Sequence, residues 1–231
     1  MRLMLISDIH GNLPAMQAVF RHLSGNFGNV DYVICAGDFV GIGPFPNEVC
    51  DFMRGITKLL AVKGEFDQAL IDGNFRGIDP VLVDTLNWTK QIITSKNMDF
   101  ICDLDGYKSL KLDRFKVLLL HGSPDDYLNG EISKMESLEK IQKYFEETQA
   151  DIIICGQGHI PFVKDFNGHF IINPGSVGQP KDDISKASYV FVDTDNMEIS
   201  FQRVKYNINQ VLDRMKENKF SETLVNNFYL L

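Results

Sequence analysis

The stretch Leu3-Met4-Leu5-Ile6-Ser7-Asp8-Ile9-His10-Gly11-Asn12 opens the chain and decides its fold. Its apolar run predicts a strand over 3–7, because successive apolar residues suit a strand that is covered on both faces. Asp8 and His10 follow that strand beside a glycine, whose backbone can turn sharply. A helix is predicted over 14–24, since a proline at its start suits the first helical turn. The chain therefore begins with a strand, a polar turn and a helix.

The same pattern recurs four more times: an apolar strand ends near a glycine and a metal-competent side chain. The predicted strands and the side chains that follow them are 32–36 with Asp38, 58–62 with Glu65, 115–120 with His121, and 152–155 with His159. Ligands bind outside the carboxyl ends of strands in open α/β sheets, so these side chains are expected at one edge. Taken singly, Asp8 would be a helix cap and each histidine a hydrogen-bonded core residue. Five such strand ends together indicate a metal site.

The remaining pattern predicts a mixed α/β fold. Helices are expected at 47–54, twice within 80–104, at 137–148 and from 209, and strands at 162–166, 169–172, 187–192 and 198–204. Early alternation of strands and helices, followed by a strand-rich half, indicates layered sheets. No linker or charge block divides the chain, so residues 1–231 are predicted to form a single domain.

Composition and net charge indicate which kinds of partner the protein binds and in which compartment it is located. The net charge of −8 argues against an extended nucleic-acid interface, which needs a basic surface, but it allows a small phosphorylated substrate beside bound cations. The chain lacks an apolar window long enough for a membrane helix, and its start does not resemble a signal peptide. The four cysteines are far apart and are expected to be free thiols. A cytoplasmic protein without membrane contact is predicted.

Five ordered motifs resemble the calcineurin-like metallophosphoesterase superfamily. They are Asp8-Ile9-His10, Gly37-Asp38, Gly64-x-x-Asp67, His121-Gly122 and Gly156-x-x-His159. The stretches 37–49, 173–180 and 187–189 are similar to a bacterial and archaeal branch of predicted phosphodiesterases. The resemblance covers roughly residues 1–206 and implies a four-layer α-β-β-α sandwich. It also implies a metal-dependent phosphoesterase that acts through a metal-bound hydroxide.

The resemblance further implies two divalent metal ions. Asp8, His10 and His159 would hold the first ion, Asp38 would bridge, and Glu65, His121 and Gln157 would complete the second site. Asp8, Asp38 and His121 are accordingly expected to be catalytic. Two cations about 3.5–4 Å apart can orient a phosphoryl group and stabilise the incoming and leaving oxygens.

Two motifs depart from that branch at the second metal. The branch usually has Gly-Asn-His-Asp in place of Gly64-Glu65-Phe66-Asp67, and Gly-His-x-His in place of Gly156-Gln157-Gly158-His159. In one outcome, Glu65 and Gln157 still coordinate through oxygen, which favours Mn²⁺ or Mg²⁺ over Zn²⁺. Mn²⁺ is the expected ion, with Fe, Mg²⁺ or Zn²⁺ as alternatives. In the other outcome, the second site is weak and the protein works with one metal ion or with none.

Two further expectations concern substrate contacts. Relatives with histidine in place of Phe66 can protonate the leaving group, and a phenylalanine cannot. Asp67 is a candidate substitute for that proton donor, with a turn or helix cap as the alternative. The loop 173–180 offers Gly175 and Ser176 as phosphate contacts, with a structural crossover behind His159 as the alternative.

The leading hypothesis is a hydrolase of a phosphodiester or a nucleotide phosphoanhydride, with a nucleotide or dinucleoside polyphosphate as the candidate substrate. The runner-up is a catalytically weakened or inactive scaffold on the same fold, similar to the retromer subunit that resembles these enzymes. The retained Asp8, His10, Asp38, His121 and His159 oppose the scaffold, because a pure scaffold does not require metal ligands. The signatures of protein phosphatases are absent, and the oligomeric state stays open.

Overall fold

The computed structural model describes residues 1–183 and 185–228. The first half contains β1 (Arg2–Ile6), α1 (Leu13–Asn26), β2 (Tyr32–Cys35), α2 (Pro46–Arg54), β3 (Leu59–Ala61), α3 (Glu65–Asp72), α4 (Pro80–Ile92), α5 (Ser95–Cys102), β4 (Tyr107–Leu112) and β5 (Phe115–Leu120). The second half contains α6 (Leu138–Thr148), β6 (Ile152–Ile154), β7 (Phe162–Phe166), β8 (His169–Asn173), β9 (Lys186–Asp193), β10 (Glu198–Lys205), α7 (Asn209–Glu217) and α8 (Glu222–Asn227).

The strands form two five-stranded sheets. The first sheet has the order β10-β9-β1-β2-β3, in which β1, β2 and β3 run parallel and β9 runs antiparallel to its two neighbours, β1 and β10. The second sheet has the order β4-β5-β6-β8-β7, in which β5, β6 and β8 run parallel and the two outer strands run antiparallel. Each sheet therefore contains three adjacent parallel strands, and the predicted site residues follow these strands.

Side chains that alternate along β1 serve two different cores. Leu3 and Leu5 belong to the core between the sheets, together with Leu119 and Ile154 of the second sheet. Met4 and Ile6 point to the opposite face and pack with α1 and α2. On the outer face of the second sheet, α6 covers Leu118 and Ile153. This arrangement confirms the predicted four-layer α-β-β-α sandwich.

The predicted helices and strands are all present, but three further elements were not predicted. Helix α3 begins at Glu65, in a segment for which the sequence predicts a turn and offers a helix cap only as the alternative role of Asp67. Strand β4 lies at a sheet edge, and its alternating exposed residues carry no strong apolar signal. Helix α8 is short and follows a polar turn. No helix within the described ranges has the length and apolarity needed to cross a bilayer.

Candidate metal centre

The carboxyl ends of parallel strands from both sheets meet at one edge of the molecule. The turn after β1 presents Asp8 and His10, and the turn after β2 presents Asp38. From the second sheet, β5 leads to His121 and β6 leads to His159. All five side chains are buried. The structure therefore brings together five of the six residues that the strand-end pattern indicated, all except Glu65.

The backbone at this edge is strained. Ten non-glycine residues in the described part of the chain have positive φ angles, and five of them lie here: Asp8, His10, Asp38, Gln157 and His159. Such conformations persist only where the surrounding structure enforces them, and they cluster at functional sites. Several backbone hydrogen bonds hold the turns, including Asp8 N to Gly37 O at 2.9 Å and Gly178 N to Asp8 O at 2.9 Å.

Backbone carbonyl groups orient all three histidines in the same way. The Nδ1 atom of His10 lies 3.2 Å from Val40 O, that of His121 lies 2.7 Å from Ala36 O, and that of His159 lies 2.7 Å from Gln179 O. A carbonyl can only accept, so each Nδ1 carries the proton. When neutral, each imidazole thus presents its Nε2 lone pair to the centre, as a metal-ligating histidine does.

A first trio consists of Asp8, His10 and His159, whose ligand atoms lie within 4.8 Å of one another. The Nε2 atoms of the two histidines are 3.3 Å apart, and that of His159 is 3.3 Å from Asp8 Oδ1. In the tautomer with the proton on Nδ1, both Nε2 atoms offer lone pairs, which a cation between them would accept. This set of two imidazoles and a carboxylate fits a divalent transition metal.

A second trio consists of Asp8, Asp38 and His121, again within 4.8 Å. Asp38 Oδ2 lies 3.4 Å from His121 Nε2 and 3.7 Å from His10 Nε2, so Asp38 reaches towards both trios. Both carboxylate oxygens of Asp8, Asp38 Oδ2 and His121 Nε2 are buried without a hydrogen-bond partner. Buried polar atoms without partners are costly, and convergent ones fit a bound cation.

The protonation behaviour of the centre agrees with a site that is built for positive charge. Burial lowers the pKa of His10 to about 4, which keeps this imidazole neutral. Burial opposes ionisation of Asp8, but the facing His159 holds the pKa of its carboxyl well below the usual range. Burial alone would lower the pKa of His121, but the charge of Asp38 raises it to about 10. Without a cation, His121 therefore keeps a proton that a metal would displace.

The structure places Glu65 and Gln157 side by side at the rim of the second trio. Gln157 Nε2 donates a hydrogen bond to Glu65 Oε2 at 3.1 Å, and both side chains are half-buried. Among the residues that the structure describes, Glu65 belongs to neither trio. The two predicted ligands are thus close to the site and bound to each other.

Comparison with known proteins identifies the family. Residues 1–197 match the calcineurin-like phosphoesterase superfamily domain. The chain belongs to this superfamily. A metallophosphoesterase from Sphaerobacter thermophilus has a similar crystal structure, with a TM-score of 0.81 and 28% identity over 98% of this chain and 97% of that one.

Two further relatives are similar to this chain over most of its length, and one of them is a phosphodiesterase. An uncharacterized protein of Methanocaldococcus jannaschii is 30% identical over 98% of this chain and 96% of its own length. The phosphodiesterase YfcE of Escherichia coli is 26% identical over 86% of this chain and 91% of its own length. The resemblance to a bacterial and archaeal branch is confirmed, and the chain is a metal-dependent phosphoester hydrolase.

Phe66 shapes the phosphoesterase centre without offering a proton. Its ring stands edge-to-face against the His10 imidazole, with ring centroids 5.0 Å apart. Its backbone N–H donates to Asp38 Oδ1 at 2.8 Å. Gly41 lies so close to the Phe66 ring that a side chain at position 41 would overlap with it. The Phe66 ring thus packs against His10, and its backbone N–H helps to position Asp38.

Asp67 is fully buried, on the side of Asp38 that faces the protein interior. Its carboxylate accepts hydrogen bonds from the backbone N–H groups of Phe39, Val40 and Gly64, at 3.0–3.3 Å. Burial and the charge of Asp38 raise the pKa of Asp67 to about 7. Because its oxygens are occupied by backbone groups, the contacts favour the capping role over the proposed proton donor.

Gly175 and Ser176 also lie behind the ligand turns. The Ser176 hydroxyl donates to Asp8 O at 2.7 Å and accepts from Gln179 N at 2.7 Å, and the side chain has no exposed surface. Gly175 has a φ of 70°, and a side chain there would overlap with Pro161 and Ser188. These contacts favour the structural crossover over a phosphate contact.

Three groups at this centre were not predicted, namely the carbonyl oxygens of Val40, Ala36 and Gln179 that orient the histidines. Every residue type carries a carbonyl, so the sequence holds no signal for them. The capping role of Asp67 does have a signal, since an acid three residues after Gly64 has the spacing of a capping box.

Proposed function

We propose that this phosphoesterase hydrolyses a phosphodiester or a nucleotide phosphoanhydride with two divalent cations, Mn²⁺ being favoured, and that its second cation site is altered. The observation that carries the proposal is the pair of trios, which share Asp8. Four of their buried ligand atoms lack a hydrogen-bond partner and lie close together. When bound there, divalent cations supply Lewis acidity and lower the pKa of a bound water. Oxygen-rich ligands such as Asp8, Asp38 and Glu65 favour Mn²⁺ or Mg²⁺.

The chain's own residues set what the centre can do. Asp8 and Asp38 supply negative charge that holds the cations, and the carbonyl-anchored histidines keep the ligand atoms in place before binding. Such preorganisation removes the need to reorganise the site during reaction. The turns that carry these ligands belong to both sheets, so the packed sandwich itself sets their spacing.

Charge supports a substrate with a single negative charge at the reacting phosphorus. Asp8, Asp38 and Glu65 place three carboxylates at or beside the centre. In the described ranges, no lysine or arginine forms an ion pair with them. Two divalent cations would leave only a small positive excess, which suits a monoanionic diester better than a dianionic monoester.

Phe66 supports substrates with good leaving groups. A positioned acid contributes about 10²–10⁴-fold when the leaving group needs a proton. Phe66 cannot donate one, and the Asp67 carboxylate is engaged by the backbone. Aryl and nucleotide phosphates leave without such help, so the proposed substrate is a small nucleotide or dinucleoside polyphosphate. The free thiols of Cys35, Cys50 and Cys155 support a cytoplasmic location.

The second candidate function is a catalytically weakened scaffold on this fold. Two observations favour it: the Glu65–Gln157 hydrogen bond at the second site and the phenylalanine at position 66. The buried, preoriented ligands favour the enzyme, because unpartnered buried carboxylates are costly unless a cation binds them.

A metal-supplemented screen tests the proposal. Purified protein is assayed with Mn²⁺ against a bis-aryl phosphodiester, an aryl phosphomonoester, a dialkyl phosphodiester and a dinucleoside polyphosphate. We expect turnover of the aryl diester and the dinucleotide, loss of that turnover in Asp38→Asn, and full activity in the surface control Asp99→Asn. Equal rates on aryl and alkyl diesters would contradict the leaving-group argument, and activity that survives Asp38→Asn would contradict the metal centre.

A further inference from the structure

The hydrogen bond between Glu65 and Gln157 connects the ends of the two sheets. Glu65 is the first residue of α3, directly after β3 of the first sheet, and Gln157 lies in the turn after β6 of the second. The donor is the Gln157 amide nitrogen, 3.1 Å from Glu65 Oε2. The reverse orientation would set two oxygen acceptors against each other, so the amide must face Glu65 through its N–H group.

Both partners are anchored through their backbones. The carbonyl oxygen of Gln157 accepts from Asn173 Nδ2 at 3.0 Å and from His159 N at 2.7 Å, which holds the residue at a φ of 43°. On the other side, the N–H of Phe66 donates to Asp38 Oδ1. A carboxylate at the N-terminus of a helix is also favoured by the helix dipole. The pair is therefore held in place from both sheets.

The hydrogen bond keeps Glu65 at the rim of the second trio. Within the described ranges, the trio with mutual distances up to 4.8 Å is Asp8, Asp38 and His121, without Glu65. A carboxylate that coordinates the same cation as Asp38 and His121 would come within that distance of both. To do so, the Glu65 carboxylate, whose Oε2 accepts from Gln157, would have to move towards Asp38 and His121.

We infer that the Glu65–Gln157 hydrogen bond is a latch on the second cation site, and this inference rests on the proposed two-cation function. Binding of a second cation draws the Glu65 carboxylate towards Asp38 and His121 and breaks its hydrogen bond to Gln157. A hydrogen bond to a charged group weakens a competing interaction by roughly ten- to a hundredfold in affinity. The latch thereby lowers the affinity of the second site and leaves that of the first unchanged.

Calorimetric titration of the metal-free protein with Mn²⁺ tests the latch. We expect Gln157→Ala to tighten binding of the second equivalent about tenfold or more, with the first equivalent unchanged. The double variant Glu65→Ala/Gln157→Ala should lose this gain, because the freed carboxylate is then missing. The matched control is Gln142→Ala, which removes a surface hydrogen bond of the same kind, from Gln142 Nε2 to Glu146 Oε1 at 2.7 Å.

A second measurement follows the Gln157 side chain itself. In a titration with diamagnetic Zn²⁺, the side-chain amide resonances that disappear in Gln157→Ala should shift with the second equivalent and not with the first. The latch would be overturned if Gln157→Ala bound the second equivalent with unchanged or lower affinity. It would also be overturned if the Gln157 amide resonances did not shift when the second equivalent bound. If every variant binds the second equivalent with the same affinity, only the latch is overturned. If no variant binds a second equivalent, the two-cation function is overturned as well.

Discussion

Gly64 lies directly against Asp38, and the contact leaves no room for a side chain at position 64. A methyl group there would overlap with the Asp38 carboxylate and with its backbone nitrogen. Gly64 also precedes the first residue of α3 and donates its N–H to Asp67 Oδ2 at 3.0 Å. A glycine outside the trios thus fixes the position of a carboxylate that reaches towards both of them.

Gly64→Ala should weaken metal binding, because the added methyl group displaces the Asp38 carboxylate from the trios. We expect at least a tenfold loss of Mn²⁺ affinity in calorimetry, together with loss of Mn²⁺-dependent turnover. The control is Gly25→Ala within α1, where a methyl group meets no atom within 4 Å. That control should bind Mn²⁺ normally and gain about 0.5–1 kcal/mol in helix stability.

Asp67→Ala should destabilise the fold. The substitution leaves the backbone N–H groups of Phe39, Val40 and Gly64 buried without their shared acceptor. We expect the free energy of unfolding of the metal-free protein to fall by about 2–4 kcal/mol in urea titrations. Asp67→Asn keeps one acceptor oxygen and should lose less. A proton donor would instead show unchanged stability with a leaving-group-dependent loss of rate.

Ser176→Ala separates a structural loop from a phosphate contact. The hydroxyl links Asp8 O to Gln179 N, so its removal should cost about 1–3 kcal/mol of unfolding free energy. The KM for an aryl diester should remain within about twofold, because the buried hydroxyl has no access to substrate. A large rise in KM with normal stability would restore the substrate-binding interpretation.

Phe66→His should change the dependence on the leaving group. The ring already lies against His10, so an imidazole there is placed beside the centre. We expect the rate on a dialkyl diester to rise by about tenfold or more, with little change on a bis-aryl diester. Phe66→Leu, which offers no proton, serves as the control and should leave the ratio of the two rates unchanged.

The clustering of the candidate ligands could be predicted because it follows a simple physical rule. Apolar strands that end at Asp8, Asp38, His121 and His159 place their side chains at one edge, whatever the details of the loops. The four layers follow from the same alternation, since Leu3 and Leu5 face one core while Met4 and Ile6 face the other.

The parts that escaped prediction depend on contacts between distant segments. Ser176 is a good phosphate contact by residue type, yet the fold turns its hydroxyl towards Asp8 O, 168 positions away. Gln157 and Glu65 are plausible ligands separately, and only their placement 92 positions apart in sequence makes them each other's partners. Helix α3 is indicated only by the capping alternative at Asp67, because its first turn also carries residues that suit metal and proton chemistry.

The two sheets contribute candidate ligands that are far apart in the sequence, and this has a consequence for kinetic stability. A cation held by Asp8 and His159 ties residue 8 to residue 159, as a covalent cross-link would. Cross-links that close long loops reduce the conformational entropy of the unfolded chain most strongly. Separation of the sheets must release the cation, so chelation should shorten the lifetime of the native state as well as stop catalysis.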